Sequence, residues 1–144
     1  MKSKVKSGIL AVDKAEGITS HDLVARARRT LGIRKIGHSG TLDPFATGVM
    51  ILLVGEGTKL SSYIMEGEKR YRAVLVLGEK RDSGDLTGSI VEKRQHQAVE
   101  ENTLLRVLAG FKGHSKQLPP MFSAIKKKGM PLYKYARKGI DVER

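Results

Sequence analysis

The 144-residue sequence contains no cysteine. That excludes a disulfide framework, a thiolate metal site and a thiol nucleophile. Its four histidines are scattered and do not form a metal-ligand spacing. No apolar run reaches the ~18 residues of a membrane-spanning helix. The segment Met1-Lys2-Ser3-Lys4-Val5-Lys6 is basic but lacks the apolar stretch of a signal peptide, so a soluble, cytoplasmic protein is expected. Acidic residues are scarce. Fifteen stand against 27 lysines and arginines, for a net charge of +12. That imbalance calls for an anionic partner, with nucleic acid first and a membrane surface second. A surface-bound helix would need a wide apolar face opposite its basic one, and none is found, so no membrane role is expected. The 40% hydrophobic content suffices for a core, and the length suits one domain. There are no internal repeats or low-complexity tracts.

The chain is organised around Gly37-His38-Ser39-Gly40-Thr41-Leu42-Asp43-Pro44-Phe45-Ala46-Thr47-Gly48. Arg34-Lys35-Ile36 precedes it, and the apolar run Val49 to Val54 follows and reads as a buried strand. Its glycines let main chain approach a ligand closely. Pro44 fixes one backbone angle and biases Asp43 away from the helical region. A carboxylate on so stiff a loop is a candidate nucleophile or general base; equally, Asp-Pro is a common turn signal. From spacing alone, His38 reads as a loop imidazole bonded to backbone. A phosphate-cradling P-loop is excluded, because no Gly-Lys-Ser/Thr follows.

Along the chain, Gly8 to Asp13 reads as a strand and Lys14 to Gly17 as a turn. Thr19 or Ser20 can cap a helix running to about Leu31, with Leu23, Ala27 and Leu31 on its apolar stripe. Arg26, Arg28 and Arg29 lie largely off that stripe, as a solvated face or as phosphate contacts. Thr58 to Met65 is expected to be helical. Glu68 to Gly78 is expected to be a strand, with Tyr71, Ala73, Leu75 and Leu77 on one face and Arg72, Val74 and Val76 on the other. Tyr71 sits in the basic entrance Lys69-Arg70-Tyr71-Arg72. It is either a core-edge tyrosine or a platform on which a base stacks between phosphate-holding cations. Residues 79–88 read as a polar turn, in which Asp82 and Asp85 make a weak case for a metal. A strand over Ser89 to Lys93 follows. A helix from Glu100 to Phe111 comes next, with Leu104, Leu105, Leu108 and Phe111 inward. Gly113 to Gly139 is rich in proline, glycine and positive charge. Lys126-Lys127-Lys128-Gly129 reads as an exposed turn, and Pro131 opens a short helix through Arg137. This segment is either a mobile loop or a basic flap.

The motif His38-x-Gly40-x-Leu42-Asp43-Pro44-x-Ala46-x-Gly48 resembles the catalytic motif of the TruB family of tRNA pseudouridine synthases. The resemblance runs from Gly8 to the last residue. Asp13-Lys14-x-x-Gly17-x-Thr19-Ser20 is similar to that family's first motif, with Ala15 where proline is usual. Lys69-Arg70-Tyr71 resembles its second motif, and Arg81-Asp82-Ser83 partly matches a Thr-Asp-Thr segment. Pro119 to Arg137 resembles its RNA-gripping insertion, with Phe122 where tyrosine is usual. The resemblance implies an α/β (α+β) fold with a mixed, mainly antiparallel sheet flanked by helices. It implies an isomerase acting without a cofactor or metal on the uridine at position 55 in the T-loop of tRNA.

The roles carried over are Asp43 as nucleophile, His38 stacking in the place vacated by the flipped base, and Tyr71 against the uracil. The RNA-contacting set is Lys14, Lys69, Arg70, Arg72, Lys126, Lys127, Lys128 and Arg137, with the tRNA T-arm as partner and no protein partner implied. Ile140 to Arg144 alternates like the opening of a strand. By the resemblance, the chain is the N-terminal portion of a catalytic domain, with a basic insertion at about 113–139. The remainder would supply an arginine to pair with Asp43, an apolar residue under the target base and usually a small RNA-binding domain. The portion alone is accordingly expected to be weak or inactive. Two other classes use the same basic surface without Asp43: a non-catalytic RNA-binding module or chaperone, and a structural protein that binds RNA unselectively.

Overall fold

Apolar and β-branched residues between Gly8 and Val54 build one small sheet and one helix. The computed structural model describes residues 7–123 and 125–143; the basic stretch 1–6, Ala124 and Arg144 lie outside the described residues. The chain divides into two compact units, Met1–Tyr71 and Arg72–Arg144.

In the first unit, β1 (Gly8–Lys14), β2 (Ile36–His38) and β3 (Gly48–Val54) form an antiparallel sheet in the order β1-β3-β2. The unbroken apolar run places β3 at the centre, where it pairs Lys14 with Gly48 on one side and His38 with Leu52 on the other. Met50, Leu52 and Val54 alternate onto the face that packs with Leu23 and Val24 of α1 (Ser20–Leu31) and with Ile36. Leu52 is fully buried, and each such side chain contributes about 1.5–3 kcal/mol. Thr19 is the N-cap of α1. Its hydroxyl accepts from the Asp22 amide at 3.0 Å, and the Asp22 carboxylate accepts from the Thr19 amide at 2.9 Å. This reciprocal box closes the first turn. Gly32 ends the helix at φ 66°.

The helix expected over Thr58 to Met65 begins earlier and is split. A 3₁₀ turn, Gly55–Leu60, precedes α2 (Ser61–Met65). Gly57 lies so close to β1 that an added Cβ would sit 2.4 Å from the Gly8 carbonyl oxygen.

The second unit holds two antiparallel hairpins and two helices: β4 (Glu79–Arg81) with β5 (Ile90–Lys93), α3 (Glu101–Ala109), β6 (Lys126–Lys127) with β7 (Met130–Pro131), and α4 (Leu132–Ala136). Lys128 and Gly129 both take positive φ, 49° and 81°, which makes the expected turn a tight two-residue one. Every ladder among the described residues is antiparallel.

Three expectations fail. The strand from Glu68 to Gly78 does not form: residues 68–76 carry no regular structure, and Val74 is 89% exposed. A strand is held by a ladder, and no described strand pairs with these residues. Leu104, Leu105, Leu108 and Phe111, expected inward, are exposed, because nothing among the described residues covers that face of α3. Ile140 to Glu143 likewise forms no strand.

Candidate functional site

The glycine-rich loop leaves the sheet at the end of β2 and returns at the start of β3, beside the end of β1 and the start of α1. Gly48 ends it at φ 119°, a conformation that side chains strongly disfavour. The return from loop to strand therefore needs glycine there.

Three sets of bonds hold the loop. Gly17 donates its amide to the Pro44 carbonyl at 2.8 Å. Lys14 is fully buried, and its ammonium donates to the carbonyls of Pro44 at 3.1 Å, Ala15 at 3.0 Å and Ile18 at 2.8 Å. Ser20, 3% exposed, donates its hydroxyl to the Leu42 carbonyl at 3.1 Å and accepts from the Leu42 amide at 3.0 Å. Within the loop, the Ala46 amide donates to the Asp43 carbonyl at 3.0 Å, closing the turn that Asp-Pro signals. The main chain on both sides of Asp43 is thus fixed. Its side chain is exposed, and the carboxylate makes no hydrogen bond or ion pair among the described residues.

His38 is half-buried at the end of β2, and its Nδ1 accepts a long 3.4 Å bond from the Gly40 amide. Its ring meets that of His21 edge to face, with centroids 5.9 Å apart and planes at 78°. His21 lies in the first turn of α1 and had no sequence signal of its own. Its neighbour Ser20 had half of one: only one of Thr19 and Ser20 can be the N-cap, and the cap is Thr19. Ser20 is left with its hydroxyl free for the loop.

The expected RNA-contacting residues are placed unevenly. Lys14 departs most: it is buried with its three protons donated to main chain, so it presents no charge to a phosphate. It also ties the turn in which Ala15 stands for proline. Tyr71 is 69% exposed on irregular chain, with its ring open to solvent. Lys69 donates to the Met65 and Gly67 carbonyls at the end of α2, and Arg70 lies 3.9 Å from Glu68 in an exposed pair.

Arg72, Lys126, Lys127, Lys128 and Arg137 belong to the second unit. Arg72, Lys126 and Lys128 are exposed, Lys127 donates to the Glu143 carbonyl, and the Arg137 guanidinium lies 5.4 Å from the Tyr133 ring centroid. Asp82 and Asp85 are taken up by their own turn, accepting from Ser89 and from Ser83 and Thr87. Among the described residues, no group of three or more His, Cys, Asp or Glu could hold a metal ion.

Two carboxylates in the first unit are tuned by neighbours. Hydrogen bonds from Thr19 hold Asp22 below the usual carboxylate range. Hydrogen bonds from Lys35 and Lys59 pull Glu56 down to about 2. The Glu56 carboxylate meets the two ammonium groups at 2.7 Å and 2.6 Å. Lys35 immediately precedes β2, so this bridge fastens the near end of the strand that leads to His38. Among the described residues, no helix is long and apolar enough to cross a membrane.

Comparison with known proteins gives a consistent result. The family model described as TruB family pseudouridylate synthase (N terminal domain) matches residues 28–144. A protein of Geobacter sulfurreducens named tRNA pseudouridine synthase B is 52% identical over 137 residues, 95% of this chain and 45% of that protein. Proteins of the same name from Bordetella avium and Methylococcus capsulatus are 50% and 49% identical. They align with 95% and 96% of this chain, and with 57% and 62% of their own lengths. The chain therefore spans about half the length of the curated relatives it matches. Among solved structures, "Crystal Structure of a Cbf5-Nop10-Gar1 Complex" aligns with a TM-score of 0.56 at 26% identity, over 84% of this chain and 31% of that one.

Proposed function

This chain belongs to the TruB family of pseudouridylate synthases, and from that membership we propose that it serves the conversion of the T-loop uridine at tRNA position 55 to pseudouridine, with Asp43 as the nucleophile. The N1–C1′ glycosidic bond breaks, the base turns, and a C5–C1′ bond forms. C5 loses its proton and N1 gains one, so the reaction is balanced without a redox partner. Asp43 in its ionised form attacks the sugar C1′ or abstracts a sugar proton. The target base must leave its stack to be reached. His38 stacks in the vacated place, and Tyr71 lies on the uracil. Lys69, Arg70, Arg72, Lys126, Lys127, Lys128 and Arg137 attract the phosphates of the T-arm.

One observation carries this reading: an exposed carboxylate, unengaged among the described residues, stands on a loop whose main chain is pinned on both sides. A carboxylate held near phosphates needs a cation to stay ionised. The family resemblance assigns that role to an arginine, and no described residue pairs with the Asp43 carboxylate. Because the chain spans about half the length of the curated relatives it matches, the longest natural form of the protein is the one to assay.

The test is tritium release from uridine labelled at C5 in a tRNA transcript. The full-length protein is expected to release it, and Asp43→Ala to abolish release while still binding tRNA. Release that survives Asp43→Ala overturns the role of Asp43. Binding of tRNA without release supports the RNA-binding module instead, and binding indifferent to the T-loop sequence supports an unselective RNA-binding protein.

A further inference from the structure

We propose that Ser20 is a positioning residue for Asp43, setting the peptide plane from which the carboxylate projects; this rests on the reading of Asp43 as the reacting group. Four observations converge. The Ser20 hydroxyl engages both main-chain groups of Leu42, donating to its carbonyl at 3.1 Å and accepting from its amide at 3.0 Å. The Leu42 carbonyl belongs to the peptide that continues into Asp43, so the first bond fixes the orientation of that peptide. With both groups held by one oxygen, Leu42 cannot rotate either flanking plane without breaking a bond.

Next, the hydroxyl is almost wholly shielded, with Ser20 3% exposed, so water does not compete for either bond. Third, Ser20 is itself set in regular structure. It opens α1, and the box between Thr19 and Asp22 closes that first turn without drawing on the Ser20 side chain. Last, the opposite flank is fixed independently, by Gly17 and Lys14 on the Pro44 carbonyl. With Pro44 rigid by its ring, Ser20 controls the one side of Asp43 that proline chemistry leaves adjustable.

A hydroxyl that only stabilised the fold would alter unfolding and leave the reaction of the folded protein alone. A positioning hydroxyl alters the chemical step, because small displacements of a reacting group cost large factors in rate. Ser20 touches no substrate in this account, so its loss leaves RNA affinity unchanged.

The experiment uses the full-length protein and its Ser20→Ala and Ser20→Thr variants below their unfolding temperatures. Two quantities are read: the single-turnover rate of tritium release at saturating tRNA, with the tRNA dissociation constant beside it, and hydrogen exchange at the Leu42 amide. In Ser20→Ala the rate is expected to fall about tenfold or more with the dissociation constant within about twofold. The Leu42 amide loses protection while the amides of the β1–β3 ladder keep theirs. Ser20→Thr, which retains the hydroxyl, restores both. If the alanine variant does not fold, Ser20→Cys replaces it, since a thiol is a weaker donor and acceptor of similar size.

An unchanged rate overturns the proposal, as does a rate loss matched by an equal loss of affinity, or a Leu42 amide that stays protected. Should the parent protein release no tritium, the functional reading fails. The Leu42 exchange then decides separately whether Ser20 holds the loop.

Discussion

The Lys14 ammonium donates to the Pro44 carbonyl oxygen at 3.1 Å, across 30 positions of sequence. A lysine in a basic protein is ordinarily a solvated charge, yet this one is fully buried and works as a main-chain clamp. Its other two protons go to Ala15 and Ile18, so one side chain ties the turn after β1 to the loop that carries Asp43.

Replacing that lysine exposes its role. Lys14→Met removes a donor from three carbonyls, of which that of Pro44 keeps the Gly17 amide, and is expected to cost about 1–3 kcal/mol of stability. Urea or thermal unfolding measures the loss. The salt dependence of RNA binding should not change, because the Lys14 charge does not face solvent. A reduced salt slope in Lys14→Met contradicts the clamp.

The arginines of α1 divide in the same way. Arg28 donates to the Ile36 carbonyl at 2.7 Å and so ties the helix to β2. Arg28→Ala is expected to lower stability by about 1 kcal/mol. Arg29 is exposed, and Arg29→Ala should stay within about 0.5 kcal/mol of the parent. If Arg29 meets phosphate, its loss weakens RNA binding for all sequences alike and lowers the salt slope by about 1. Equal unfolding midpoints for the two variants argue against this division.

Glu56 gives the pH dependence its sign. Its carboxylate ordinarily titrates near 4.5, and Lys35 and Lys59 pull it down to about 2. Ionisation is therefore favoured in the folded protein. The resulting stability is present in full above pH 4.5 and is lost as pH falls towards about 2. The group is well exposed, so salt should weaken the effect. A carboxyl-carbon NMR titration should find the depressed midpoint at low salt and see it rise with added salt. Glu56→Gln should flatten the acid limb of stability over the same window. A midpoint near 4.5 at low salt refutes the bridge.

The sequence made β1, α1, β3 and the motif loop legible because each is announced locally. The run Val49 to Val54 is apolar throughout, Thr19 and Asp22 are spaced for a box, and Asp-Pro starts a turn. The strand expected over Glu68 to Gly78 does not form, because alternation describes what a segment can pair with, not whether a partner is there. Leu104, Leu105, Leu108 and Phe111 mark an apolar face in the same sense, yet they are exposed. The Asp43 loop was legible from its motif, but its supports were not. Lys14 is buried by carbonyls from residues 15, 18 and 44, and the last of these is invisible to any local window. Ser20 and His21 acquire their partners, Leu42 and His38, only once the helix docks beside the loop.

The bonds from Gly17, Lys14 and Ser20 to residues 42 and 44 have a thermodynamic consequence. Disorder in this segment is removed when the polypeptide folds, long before any nucleic acid arrives. Under the proposed function, an encounter with RNA then carries no entropic charge for ordering the main chain around Asp43, and the attraction of the basic side chains can go into prising the uridine out of its neighbours.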